Sequence, residues 1–149
     1  MNARPTVSDP ERADRAHRVA TEFAEGLQRA SNADEYDSAF AADILWGSPF
    51  GASVTGFAEL NAIHHRLMAA KVAPPSRFDV VAALAPAPGV VVTQIRRQAA
   101  GGGFSEMAMY VLAERDGRWW LAAAQNTPVG VSPLDSAGAD RSARLEQED

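Results

Sequence analysis

Phe104-Ser-Glu-Met-Ala-Met-Tyr-Val-Leu-Ala-Glu-Arg-Asp-Gly-Arg-Trp-Trp-Leu-Ala-Ala-Ala-Gln-Asn-Thr127 is two β-prone runs joined by Asp116-Gly117. Asp-Gly favours a two-residue type I′ turn, in which both central residues take positive φ, so it fixes the hairpin register. With Arg115 opposite Arg118, the cross-strand partners become Leu112 with Leu121, Tyr110 with Ala123, Ala108 with Gln125, and Glu106 with Thr127. These residues and Trp119 share one face. The other face holds Met107, Met109, Val111 and Ala113 opposite Asn126, Ala124, Ala122 and Trp120. Both faces are too apolar for bulk water. One is expected to pack on helices and enclose a pocket. The other is expected to be covered by a second copy of the chain, giving a homodimer with Trp120 in or near the interface.

Upstream of that hairpin the chain alternates clear start and stop signals. Strands are expected at residues 77–84 and 90–99, with further strands at about 104–114 and 118–127. The breaks are residues 86–89, Gly101 to Gly103, and Asp116-Gly117. Before the strands come three helices. Asp9 reads as an N-cap with Pro10 at the first helical position and Glu11 and Asp14 near the positive end of the dipole. Ala13, Ala16, Val19, Ala20, Phe23, Ala24 and Leu27 then recur at helical spacing. Asn32 opens a short helix through Tyr36 and Phe40, and residues 43–48 read as a strand. Pro49 and Gly51 turn the chain, residues 53–55 return, and Gly56 releases a helix from 57 to about 70, closed by Pro74 and Pro75. Its stripe is Leu60, Ile63, Leu67 and Met68. The expected class is α+β: residues 1–8 flexible, one domain over 9–127, and a polar, disordered tail over 128–149.

Bulk properties narrow the function. A chain of 149 residues supports one self-sufficient core. With no cysteine, disulfides, thiolate catalysis and thiolate metal sites are excluded. The net charge of −5, with basic residues scattered among acidic ones, argues against nucleic-acid binding. The polar start has no stretch of signal-peptide length and nothing downstream is long and apolar enough to span a membrane, so a cytoplasmic protein is expected.

The order helix, short helix, strand pair, helix, meander, closing on Asp-Gly-x-Trp-x-Leu, resembles the nuclear transport factor 2-like superfamily over about residues 10–127. Trp46-Gly-Ser-Pro-Phe-Gly51 and Gln125-Asn-Thr127 look most like the SgcJ/EcaC family, SnoaL-like proteins of bacterial secondary metabolism. The resemblance implies a cone-shaped, cystatin-like fold: three helices packed on a curved, mostly antiparallel sheet around one pocket. It implies polyketide or enediyne chemistry, and relatives include cyclases, steroid isomerases, dehydratases and non-catalytic members. The steroid isomerases carry an acidic base just before a Pro-x-Gly turn. Here Ser48 holds that position, and a hydroxyl cannot replace a carboxylate base at neutral pH.

Within such a pocket, Glu106 and Gln125 fall on the inward face, with Tyr110 further along. A carboxylate in an apolar cavity could act as acid or base near neutrality, or Glu106 could instead pair with Arg96 or Arg97 across the sheet. His64 and His65 are adjacent on the third helix. His64, after inward Ile63 and four residues from Leu60, is expected to reach the cavity as a proton carrier, with a role-free core or surface histidine as the alternative. Tyr36 and Trp46, close to Ser48, would frame the mouth. The expected set is thus Glu106 and His64 as acid–base groups, with Tyr36, Trp46, Ser48, Arg96, Tyr110 and Gln125 contacting a small apolar organic ligand. No residue pattern asks for a cofactor or a metal.

Two functions fit. One is an enzyme that cyclises, isomerises or dehydrates an apolar substrate by proton transfer. The other is a carrier that binds a biosynthetic intermediate without changing it.

Overall fold

The computed structural model describes residues 3–70, 76–100 and 105–130. The Gly101 to Gly103 tip, Pro74 and Pro75, and the tail from 131 lie outside the described residues. A 3₁₀ turn, Pro10–Arg12, leads into α1 (Ala13–Arg29), α2 (Ala33–Tyr36), β1 (Phe40–Gly47), β2 (Ser53–Thr55), α3 (Phe57–Ala69), β3 (Ser76–Ala87), β4 (Val90–Ala99), β5 (Ser105–Arg115) and β6 (Arg118–Val129). The six strands form one sheet in the order β2-β1-β6-β5-β4-β3. Every pairing is antiparallel except β1 with β6.

The local signals act as their chemistry dictates. Asp9 caps the first turn, accepting from the Glu11 amide at 2.9 Å, and Asn32 accepts from the Glu35 amide at 2.9 Å. Gly56, before α3, has φ of 95°, a conformation that L side chains resist. Asp116 and Gly117 both have positive φ, as a type I′ turn requires. Helix α1 buries Ala16, Val19, Ala20, Ala24 and Leu27, the expected stripe, against β3 and β4.

Several boundaries differ from expectation, and one is the end of β3, which continues past Leu84 through Pro86 to Ala87 where a turn was expected. Helix α2 is one turn long and Phe40 already belongs to β1, because the carbonyl of Ala39 accepts from the Leu121 amide at 2.7 Å and draws the chain onto β6. Strand β6 runs through Pro128 to Val129 instead of stopping at Thr127. Proline is tolerated there because the last β1 partner of β6 is Gln125, leaving a free strand edge beyond it.

A larger difference lies inside the hairpin. Leu112 faces Leu121 as expected, but Val111 faces Ala123, so Ala122 is an extra residue and every later pair shifts. Tyr110 now faces Ala124, Met109 faces Gln125, and Ala108 faces Asn126. The bulge exchanges the faces: Ala124 and Asn126 turn inward and are buried, while Gln125 turns outward with Met109. The core under the helices contains Ile44, Leu60, Ile95, Leu112 and Leu121, all essentially inaccessible. Each such side chain contributes about 2 kcal/mol of apolar transfer. Among the described residues no helix covers the other side of the sheet, which exposes Leu45 and Met109.

Candidate functional site

Helix α2 ends on Asp37, whose backbone amide closes the turn to Ala33 and whose side chain is fully buried. One turn of helix is enough to aim it at α3. There His64 Nδ1 lies 2.6 Å from Asp37 Oδ1, and Asn61 Nδ2 donates to Asp37 Oδ2 at 3.0 Å. Since a carboxylate only accepts, the proton of this short contact sits on Nδ1, and in the neutral form of the ring the lone pair is then on Nε2. The His64 side chain is 12% exposed. No hydrogen bond among the described residues engages its Nε2, and no buried side-chain nitrogen or oxygen there lacks a partner, so Nε2 is reached by solvent.

Three aromatic rings frame the imidazole. Tyr36, Trp46 and Phe40 meet it edge-to-face at 5.5, 5.4 and 6.1 Å between centroids, and Phe40 stacks on Trp46 at 5.6 Å. Tyr36 continues to Phe78 at 6.2 Å, and Tyr110 to Phe23 at 5.3 Å. Tyr36, Phe40, Trp46 and Phe78 thus form one cluster of rings around His64.

The two tyrosine hydroxyls interact with each other. Burial raises the pKa of Tyr36 far above the ordinary phenol range, and the Glu106 charge adds to it. Tyr110 is raised well above its ordinary value by burial, with smaller contributions from Tyr36 and Glu106. Both phenols therefore stay protonated around neutrality and serve as hydroxyl groups, not as phenolate bases.

Glu106 faces Arg97 across β4 and β5, Oε1 to Nη2 at 3.0 Å, and Arg97 Nη1 also donates to the Ser76 hydroxyl at 2.8 Å. Of the two arginines, the inward one is Arg97. Arg96 points to the opposite face and is exposed, because Val91, Thr93 and Ile95 set the inward alternation of β4.

Two other expected ligand contacts are redirected. Ser48 Oγ accepts from the backbone amides of Phe50 and Ala52 at 3.2 and 2.9 Å, so its hydroxyl holds the β1–β2 turn. Gln125, turned outward by the bulge, lies over Gly47 on the helix-free face. Its place inside is taken by Asn126, whose Nδ2 donates to the Gly47 carbonyl at 2.9 Å. His65 is exposed and sits 2.8 Å from Asp34. Hydrogen bonds from His65 and Asn61 lower the Asp34 pKa. The structure thus brings together His64, Tyr36, Trp46 and Tyr110, with Glu106 electrostatically coupled to the tyrosines. Asp37, Asn61 and Asn126 were not expected.

A cleft of about 450 Å³ lies on the helix-free face, lined by Leu45, Gly47, Thr55, Met109, Val111 and Gln125 among others. None of the side chains lining it is titratable. A second, of about 230 Å³, lies between Arg12, Arg15, Pro88, Glu114 and Trp119. Arg15 is engaged there by Glu114 at 2.8 Å. Among the described residues, no three histidines or carboxylates converge as a metal would need. No helix among them is long and apolar enough to cross a membrane.

No family model matches the sequence, and no curated protein does either. Solved structures do match. A cystatin-like domain of unknown function from Nostoc punctiforme is 15% identical, with 93% of this chain and 99% of that one covered at a TM-score of 0.61. A nuclear transport factor 2-like protein of unknown function from Shewanella oneidensis is 13% identical over 74% of this chain and 98% of that one, at 0.65. A ketosteroid isomerase-like protein from Erwinia carotovora is 11% identical over 82% and 99%, at 0.63. At such identities the likeness is one of fold: the chain has the nuclear transport factor 2-like, cystatin-like α+β fold.

Proposed function

We propose that this protein is an acid–base enzyme that moves a proton on a small, largely apolar molecule, with His64 as the proton-transfer group. The observation that carries this reading is the Asp37–His64 pair: a fully buried carboxylate 2.6 Å from Nδ1, with the opposite ring nitrogen open to solvent. In the reaction, Nε2 takes a proton from a C–H or O–H of the substrate. The imidazolium so formed is compensated by Asp37, and the proton returns to the neighbouring carbon or to a departing hydroxyl. The first outcome is isomerisation through an enol, and the second is dehydration; in a cyclisation the enolate carbon instead bonds to a carbonyl carbon of the same molecule and the proton returns to the alkoxide oxygen so formed. Tyr36, held beside the imidazole, is a neutral hydroxyl suited to the substrate oxygen.

The substrate class belongs to the same proposal. Aromatic walls and internally paired charges favour a flat, uncharged molecule. The resemblance of the Trp46 to Gly51 and Gln125 to Thr127 segments to the SgcJ/EcaC family supports a polyketide-type intermediate of secondary metabolism. A panel of such intermediates, followed by mass spectrometry for product and by tryptophan fluorescence for binding, tests it. Turnover that is lost in His64→Gln supports the enzyme. Tight binding with no turnover favours the carrier reading, for which the Arg97–Glu106 pairing speaks, since it occupies the carboxylate that catalysis could have used.

We also propose a homodimer through the helix-free face, supported by the exposure of Leu45 and Met109 around the larger cleft.

A further inference from the structure

The Asn61 side chain lies between two carboxylates. Its single amide nitrogen donates to Asp37 Oδ2 at 3.0 Å and to Asp34 Oδ1 at 3.2 Å. Asp37 is fully buried, so the Asn61 bond is what satisfies its second oxygen, and that bond fixes the rotation of the carboxylate about its Cβ–Cγ axis. With Oδ2 pinned toward Asn61, Oδ1 is left facing His64 Nδ1. Asn61 and His64 are three apart on α3 and so share a face. The amide orientation is itself determined, since both neighbours are acceptors and only the NH₂ group can face them.

We propose that Asn61 is a positioning residue: by holding the Asp37 carboxylate in one rotation it locks His64 in the tautomer that presents an unprotonated Nε2 outward. It touches no substrate and acts only through Asp37. This deepens the proton-transfer reading and rests on it for its purpose, but the geometry can be checked without any substrate. The second carboxylate, Asp34, is exposed and shares the same amide and His65, so it anchors α2 to α3 without reaching His64.

The test is the ring-nitrogen NMR spectrum of His64 in the labelled full-length chain, assigned by its loss in His64→Gln. In the unaltered protein the neutral ring should show the proton on Nδ1 almost alone. Asn61→Ala, a favourable change inside a helix, should release the carboxylate and let both tautomers appear, with the Nε2-protonated form rising at least tenfold. Asn61→Leu, which keeps the heavy-atom branching of asparagine without a donor, should do the same, and circular dichroism checks that each variant is folded. Asp34→Ala should leave the tautomer unchanged. A single Nδ1-protonated form persisting in either folded Asn61 variant would overturn the proposal, as would a mixture in Asp34→Ala. A protein that never turns over a substrate but shows the tautomer change would remove the enzyme reading and leave this one standing.

Discussion

Arg97 and Glu106 face each other from adjacent strands, 3.0 Å apart, with side chains only 13% and 17% exposed. A pair this sheltered is weak ground for net stability but costly to break from one side. Glu106→Ala leaves Arg97 still donating to the Ser76 hydroxyl, so the expected loss is about 2 kcal/mol, below the 3–5 kcal/mol typical of a fully buried pair. Glu106→Gln retains an acceptor and should cost about half as much. Urea unfolding of the two variants measures both. If Glu106 is instead an acid–base group, Glu106→Gln abolishes turnover out of proportion to its stability effect.

His64 and Asp37 make a sharper case. His64→Gln should lower kcat by about 10²–10⁴-fold, the range of general acid–base assistance, with KM little changed. Asp37→Asn keeps the size but offers an amide where the carboxylate was, and should cost most of the same factor. Equal kcat in both variants and the parent would end the assignment.

Tyr36 and Tyr110 are the only tyrosines in the chain, so alkaline titration by near-ultraviolet tyrosinate absorbance reads them alone. Both have raised folded-state values, from burial first. The neutral forms are favoured in the fold, so their contribution is intact below the ordinary value of 10.0 and is lost as pH rises from there through the folded values. Little tyrosinate should form in the folded protein just above that point. Its appearance should coincide with loss of the near-ultraviolet circular dichroism; a titration at the ordinary value with the fold intact would contradict the buried pair.

Leu45 and Met109, 59% and 42% exposed on the helix-free face, give the dimer its test. Leu45→Asp with Met109→Asp should yield monomers in sedimentation at micromolar concentration while circular dichroism stays unchanged. A parent chain that already sediments as a monomer would rule the dimer out.

Much of this architecture was legible because its determinants are local. Asp9, Asn32 and Gly56 start helices through bonds or dihedrals within a few residues, and Asp116-Gly117 sets its own turn. What escaped was tertiary. Ala122 sits among Ala123 and Ala124, and three identical small residues give no sign of which is extra, so the inward places of Gln125 and Asn126 were interchanged. Asp37 is an acid at the end of a short helix, and the partner that makes it notable lies 27 residues on, at His64. In β4, Val90 and Val92 are as apolar as Val91, so alternation could not choose between Arg96 and Arg97. The one signal that could have found Asp37 was its helical spacing from Asp34, matched by Asn61 and His64 on α3.

The parallel pairing of β1 with β6 has a temporal consequence. Asn126 reaches Gly47 across 79 residues of chain, and the centre of the sheet cannot close until the final strand arrives. On the ribosome, β1, the β1–β2 turn and the ring cluster around Trp46 must wait with an unpaired edge until β6 has emerged. Closing so long a loop is entropically slow, and a nascent chain paused before β6 would expose that edge to its neighbours.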